Sequence, residues 1–191
     1  MVPAERPWRC FVAVPIGDAL RAAVETTARD LRVRDADDSW RWTDVEAWHV
    51  TLAFLGATDA GAVPALHTAL AGTGRAHAAF EVTAGGLGAF PARGRARVLW
   101  YGVSDPGGEL RRLARDVAVA VGLPDEGRFR GHVTLARSRA RDGTDASPLL
   151  DVPAPETALS VDRLVLYRSH LGHGPARYEA LATAALGGGA S

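Results

Sequence analysis

The tetrapeptide His-Val-Thr-Leu occurs twice, as His49-Val50-Thr51-Leu52 and as His132-Val133-Thr134-Leu135. Both copies sit in apolar, strand-like surroundings, WHVTLAFLG and GHVTLAR. Residues two apart on a strand share a face. Each copy therefore sets one imidazole beside one hydroxyl and turns Val and Leu the other way, into a core. An imidazole with its ordinary pKa of about 6.5 is available in both protonation states near neutrality. Two of them, one from each half of the chain, can place a proton donor and a proton acceptor around one reacting group. This is equipment for acid–base chemistry without a metal. A duplication that had drifted without function would have kept the core Val and Leu more readily than the polar His and Thr.

The composition removes several other chemistries. Every basic residue is Arg, and the chain has no Lys, Asn or Gln. Without Lys there is no Schiff-base chemistry and no phosphate-loop lysine. Without Asn there is no N-glycosylation. The one cysteine, Cys10, allows neither an internal disulfide nor a cysteine-based zinc site. Formal net charge is +0, so any anion site must be built locally. The 191 residues, 47% of them hydrophobic, suffice for one domain of two small lobes with a real core. The segment MVPAERPWRCFVAVPIG has too short an apolar run for a signal peptide, and no stretch approaches the ~20 apolar residues of a membrane span. A cytoplasmic protein is expected.

The elements that must position the two motifs alternate along the chain. Cys10 to Ile16 reads as a buried strand, ended by Pro15 and Gly17. Asp18 can cap the following helix, whose Leu20, Val24, Thr27, Ala28 and Leu31 recur at helical spacing. After a polar loop, Trp40-Arg41-Trp42 leads into the first His motif. A second helix carries Val63, Leu66 and Leu70 on one face. Phe80–Thr83 and Arg97–Val103 read as strands around a loop holding Gly85-Gly86-Leu87-Gly88. A third helix (Leu110, Leu113, Ala114, Val117, Val121) ends at Gly122 and Pro124. Then come the second His motif, a polar loop from Arg139 to Ser147, and strands at Arg163–Tyr167 and Tyr178–Thr183, with a frayed tail over 187–191. The pattern predicts an α+β fold with two pseudo-symmetric lobes, each an antiparallel sheet backed by helices, and the active-site cleft between them. The lobes form a single domain over 1–191.

Beyond the two motifs, the chain resembles the 2H phosphoesterase superfamily at several places in the right order. Within it, the likeness is to the bacterial and archaeal RNA 2′,3′-cyclic phosphodiesterases, also called 2′-5′ RNA ligases. The matching segments are Trp48 to Gly56, Gly86-Leu87-Gly88-Ala89-Phe90-Pro91, Arg97-Val98-Leu99-Trp100, His132 to Arg137 and Val165-Leu166-Tyr167-Arg168-Ser169. One departure is Gly131, where the family usually has a proline before the second His. Its loss is expected to loosen the entry to that strand.

The resemblance implies hydrolysis of 2′,3′-cyclic phosphate at RNA 3′ ends to a 2′-phosphomonoester, with no cofactor and no metal. It makes His49 the donor to the leaving O3′ and His132 the acceptor that activates water. Thr51 and Thr134 can donate to the non-bridging oxygens as charge develops there. Arg137 matches the family arginine five residues after the second His, where its guanidinium fork suits phosphate. The corresponding position after the first His is Phe54. Strict alternation puts Arg137 opposite His132, so a bulge or strand end is required; Arg130 has the right parity and is the alternative anion ligand. Phe11, Trp42 and Tyr167 are candidates for stacking on a base. Arg93, Arg95 and Arg97 are expected to share a strand face, as a solvated edge or an RNA contact.

The remaining histidines carry less. His67 lies on a helix, His77 in a loop. His170 and His173 form an HxxH in a Gly-rich turn with no carboxylate nearby in sequence, a poor metal set. Gly85-Gly86-Leu87-Gly88 precedes a strand, so it is not a dinucleotide loop. A monomer acting on RNA 3′ ends, without membrane or metal partners, is the expectation. Competing readings are a 2′-5′ RNA ligase, a phosphodiesterase for small cyclic phosphates of the ADP-ribose kind, and a non-catalytic RNA-binding module.

Overall fold

Two strand–helix–strand units, each delivering an HVTL strand to the middle of a sheet, organise the molecule. The structure is a computed structural model that describes residues 7–125, 127–170 and 176–187. In the first unit, β1 (Trp8–Pro15) leads through Gly17 into α1 (Asp18–Arg34), then the short β2 (Trp40–Trp42) and β3 (His49–Thr58). In the second, β5 (Val98–Ser104), α3 (Glu109–Ala120) and β6 (His132–Ser138) repeat the order. Between the units lie α2 (Val63–Ala76) and β4 (Phe80–Phe90); after them come β7 (Thr157–Val161), β8 (Arg163–His170) and β9 (Arg177–Ala185).

The strands form one antiparallel sheet in the order β7-β4-β5-β6-β3-β1-β8-β9, with β2 on the flank of β6. The two expected lobes are thus halves of a continuous sheet. They join where β3 and β6 pair at Val50 and Val133 and at no other position. Helices cover one face only: α1 packs on β7, α2 on β8 and β9, and α3 on β3 and α2. The helix of each unit reaches the other half, which ties the halves together. Leu20, Val24 and Leu31 of α1 and Leu110, Leu113 and Val117 of α3 are fully buried there, as are Val50, Val133 and Leu135. Such side chains stabilise by about 1.5–3 kcal/mol each relative to exposure. With Val and Leu turned to the helices, the His and Thr of each motif face the uncovered side. No helix among the described residues is long and apolar enough to cross a membrane.

Several local expectations change. Asp18 does not cap α1: the cap position is Gly17, and Asp18 stands in the first turn, where its charge complements the helix dipole. β2 pairs with β6, Trp40 opposite Ser138 and Trp42 opposite Ala136, so the segment entering the first motif is a strand of the other half. Gly85 to Gly88 belongs to β4, which bulges between Ala84 and Leu87 with Gly86 at φ 70°. β7, five residues of weak alternation at the sheet edge, has no counterpart in the sequence reading.

Candidate active site

His49 opens β3 and His132 opens β6, and the two rings are held in the same way. His49 Nδ1–H donates to the carbonyl of Ala47 at 2.8 Å, and His132 Nδ1–H to the carbonyl of Arg130 at 2.8 Å. In each case the acceptor is two residues back along the chain. A backbone carbonyl on Nδ1 fixes the tautomer and leaves Nε2 as the unprotonated nitrogen of the neutral ring. At His49 that nitrogen accepts from the Thr51 hydroxyl at 3.0 Å. Thr134 lies on the same face of β6 as His132, two residues on.

The bulge that Arg137 needs is present. Leu99 pairs with Ala136 and Trp100 with Thr134, leaving Leu135 as the extra residue on β6. Leu135 and Ala136 are both buried, and the alternation restarts one residue later, so Arg137 emerges exposed on the His face. The first motif repeats the device. Val12 pairs with Ala53 and Ala13 with Thr51, leaving Leu52 extra, and Phe54 emerges 68% exposed. Arg137 is close enough to depress the pKa of both histidines.

Each imidazole has an aromatic wall. Phe11 lies 4.8 Å from His49 between ring centroids, and Tyr178 meets it edge-on at 5.2 Å, with Tyr167 at 6.2 Å. Phe11 is 4% exposed, so it backs His49 and stacks on Tyr167 but presents little surface to a ligand. Around His132, Phe90 stands edge-on at 5.2 Å and Trp100 at 6.2 Å, with the Arg130 guanidinium 4.7 Å over the Trp100 ring. Trp100 lies across its cross-strand partner Gly88, and a Cβ built there would fall inside the indole. The glycine run is therefore room for a tryptophan. Sequence reasoning does not single out Tyr178, Phe90 or Trp100; the last two lie within segments of the resemblance, which is the available signal.

Burial dominates the electrostatics. It lowers His49 to about 4, opposed by the Ala47 carbonyl and assisted by His132 and Arg137. His132 is lowered too, by burial first and then by Arg137 and Arg130, against the Arg130 carbonyl. His49 is thus neutral at pH 7 before an anion arrives, and His132 is shifted toward its neutral form. An anion between them favours the protonated forms.

The other candidates fall elsewhere. Arg41 pairs with Arg137, so the next residue, Trp42, points to the opposite face, where its Nε1–H donates to Asp35 at 3.1 Å under Arg32. Trp42 is a packing residue outside the cleft. Arg93 and Arg95 lie in the β4–β5 connection, with Arg97 immediately before β5, so the three do not share a strand face; Arg95 is engaged by Asp142 at 3.1 Å and by the Gly143 carbonyl. His67 bonds the Thr183 carbonyl, and His77 pairs with Asp116 at 3.0 Å. His170 does have a carboxylate: the β8–β9 pairing brings Glu179 to 2.8 Å. His173 and residues 188–191 of the tail lie outside the described residues. Gly131 is not loose. It is buried, its carbonyl accepts from Val103 N–H at 3.1 Å, and a Cβ there would press on Leu110 and Val103 at 3.0 and 3.1 Å.

Comparison with known proteins points the same way. The chain is similar to the RNA 2′,3′-cyclic phosphodiesterase of Geobacillus stearothermophilus, 31% identical over 176 residues that make up 90% of this chain. It spans 55% of that relative's length. With the RNA 2′,3′-cyclic phosphodiesterase of Archaeoglobus fulgidus it is 30% identical over 137 residues, 70% of this chain and 74% of the relative. Among solved structures, E. coli LigT complexed with 3′-AMP superposes with TM-score 0.70 and 27% identity, over 95% of this chain and 99% of LigT. A Thermus thermophilus protein superposes with TM-score 0.75 and 25% identity, over 94% of this chain and 98% of that one. The family model of the 2′-5′ RNA ligase superfamily matches residues 18–173. That span takes in both His–Thr strands, and this chain belongs to the 2′-5′ RNA ligase superfamily.

Proposed function

We propose that the chain hydrolyses RNA 2′,3′-cyclic phosphate ends to 2′-phosphomonoesters by acid–base catalysis between His49 and His132. One observation carries the reading: both rings are tethered through Nδ1 to the chain two residues back, and both lie within electrostatic reach of Arg137. Opening a cyclic phosphodiester in line needs a base on the attacking water and an acid on the leaving oxygen, on opposite sides of phosphorus. His132 Nε2 takes a proton from water as the water oxygen bonds phosphorus. The P–O3′ bond breaks, and His49 Nε2–H delivers a proton to O3′. Arg137 and the hydroxyls of Thr51 and Thr134 meet the charge on the non-bridging oxygens. The substrate's own negative charge raises the depressed histidine pKa values and supplies the protonated donor where it is needed. Because the site draws on both halves of one sheet, a single chain suffices as the catalytic unit.

The test is incubation with an oligonucleotide ending in a 2′,3′-cyclic phosphate, in EDTA, with the product followed by phosphorus NMR. A 2′-phosphomonoester formed at an undiminished rate is expected. Activity lost in EDTA and restored by Mg²⁺ or Mn²⁺ would overturn the two-histidine mechanism. A joined product from added 5′-hydroxyl RNA would favour the ligase, and binding without turnover the non-catalytic module.

A further inference from the structure

The two halves of the site differ in what covers the outer edge of their central strands. The edge of β6 is closed by β2: Arg41 pairs with Arg137, and Thr43 N–H donates to the Leu135 carbonyl at 2.8 Å. β3 lacks such a neighbour. Among the described residues, its edge beyond Val50 has no strand partner, and from Thr51 to Phe54 it borders a groove of about 560 Å³. The opposite wall is α3 with the segment after it, contributing Arg111, Arg112, Arg115 and Arg128 together with Phe129. The groove thus starts at Thr51 of the proposed active site and runs away from it between a sheet edge and a basic helix.

Its charge is local and, among the described residues, only partly compensated. Arg112 is held by the Gly107 carbonyl at 2.9 Å, and Arg115 by Asp116 at 2.8 Å. Arg111 and Arg128 have no side-chain partner among the described residues, and Asp125 is the one acidic group among the described lining residues. In a chain of zero formal charge, two guanidiniums with no side-chain partner among the described residues are a selective place for anions beside the cleft. Phe54, which also lines it, is 68% exposed, an apolar platform of the kind a base stacks on.

We propose that this groove binds the single-stranded RNA leading to the cyclic phosphate, with its phosphodiesters on Arg111 and Arg128 and a base on Phe54. The proposal rests on the cyclic phosphodiesterase reading above and adds a direction to it: the RNA leaves the site across β3, because β2 blocks the corresponding path across β6. It also makes the enzyme selective for oligonucleotides over single nucleotides.

The test compares a nucleoside 2′,3′-cyclic phosphate with a pentanucleotide carrying the same cyclic end, for the wild type and for Arg111→Ala/Arg128→Ala. The double variant should lose about tenfold or more in kcat/KM on the pentanucleotide at low salt and stay within about twofold on the single nucleotide. The slope of log KM against log salt for the pentanucleotide should fall by about 1.4, at ~0.7 for each single-strand phosphate contact removed. Arg111→Lys/Arg128→Lys, which keeps the charge, should restore most of the loss. Equal loss on both substrates, or loss on neither, would overturn the groove assignment. Should the wild type be inactive on both, the cyclic phosphodiesterase reading fails, and the groove is judged by anisotropy with a fluorescent 3′-hydroxyl pentanucleotide. Weaker binding by the Ala variant then upholds the groove, and unchanged binding ends it.

Discussion

Leu52 and Leu135 are the same bulge residue in the two halves of the site. Each is skipped by the neighbouring strand, β1 or β5, and each shifts the side-chain alternation by one position. The consequence lies at Phe54 and Arg137, which turn onto the cleft face beside the histidines, a phenyl ring on one side and a guanidinium on the other. The pseudo-twofold frame is thereby given a polarity, with the guanidinium on the His132 side.

Substitution of the two histidines separates their roles. His49→Ala and His132→Ala should each lower kcat by roughly 10²–10⁴-fold, and the double variant by far less than the product. Thr51→Ala and Thr134→Ala should cost less, about 3 kcal/mol at most. On a nitrophenyl phosphodiester, whose leaving group needs no proton, His49→Ala should work nearly normally while His132→Ala stays inactive. If both variants lose both substrates equally, the donor and acceptor roles are wrongly assigned.

Arg137→Ala should lower kcat/KM by roughly 30-fold, the equivalent of about 2 kcal/mol for a charged hydrogen-bonding partner. Because Arg137 also depresses both histidines, its loss should move the pH optimum upward. A pH profile that stays in place while KM rises would mean that Arg137 lies further from the rings than its electrostatic effect implies.

The profile of kcat/KM against pH reports the free protein, in which both histidines lie below their ordinary range. The bell should therefore peak on the acid side of about 6.5, the unperturbed imidazole value. Its limbs belong to the coupled pair. The kcat profile should sit higher, since bound phosphate raises both values. A rate climbing steadily into the alkaline range would point to hydroxide or another base.

The same shifts bear on stability. Folded His49 binds its proton at about 4, whereas the unfolded chain binds it near the ordinary value, so the unfolded state holds more protons between the two. The stabilisation is present above about 6.5 and is lost as pH falls toward 4, by up to about 3 kcal/mol at ~1.4 kcal/mol per pKa unit. Urea unfolding at a series of pH values should show this slope, and His49→Gln should flatten it.

Gly88→Ala should destabilise the fold by about 1–3 kcal/mol, since the added methyl collides with the Trp100 indole that walls His132. Adding Trp100→Ala should recover part of that loss, because the clash goes with the ring. Additive losses in thermal unfolding would show that the two residues do not share this space.

The placement of His beside Thr in each motif was legible in the chain because strand alternation is local: residues two apart must share a face whatever their neighbours do, and Val and Leu must share the other. The three helices were legible for the same reason, since their apolar spacing is written within a few turns. The bulges at Leu52 and Leu135 were not, because a bulge is a property of two strands in register, and β5 reaches β6 only after the chain has passed through α3. Nor were the aromatic walls, to which Tyr178 comes from the last strand and Phe90 from the fourth. The depressed histidines are equally a tertiary result, since desolvation depends on what distant segments pack around a ring. The free edge of β3 required knowing that Trp40–Trp42 pairs with the other half, a choice settled by long-range strand pairing and written nowhere in the three residues themselves.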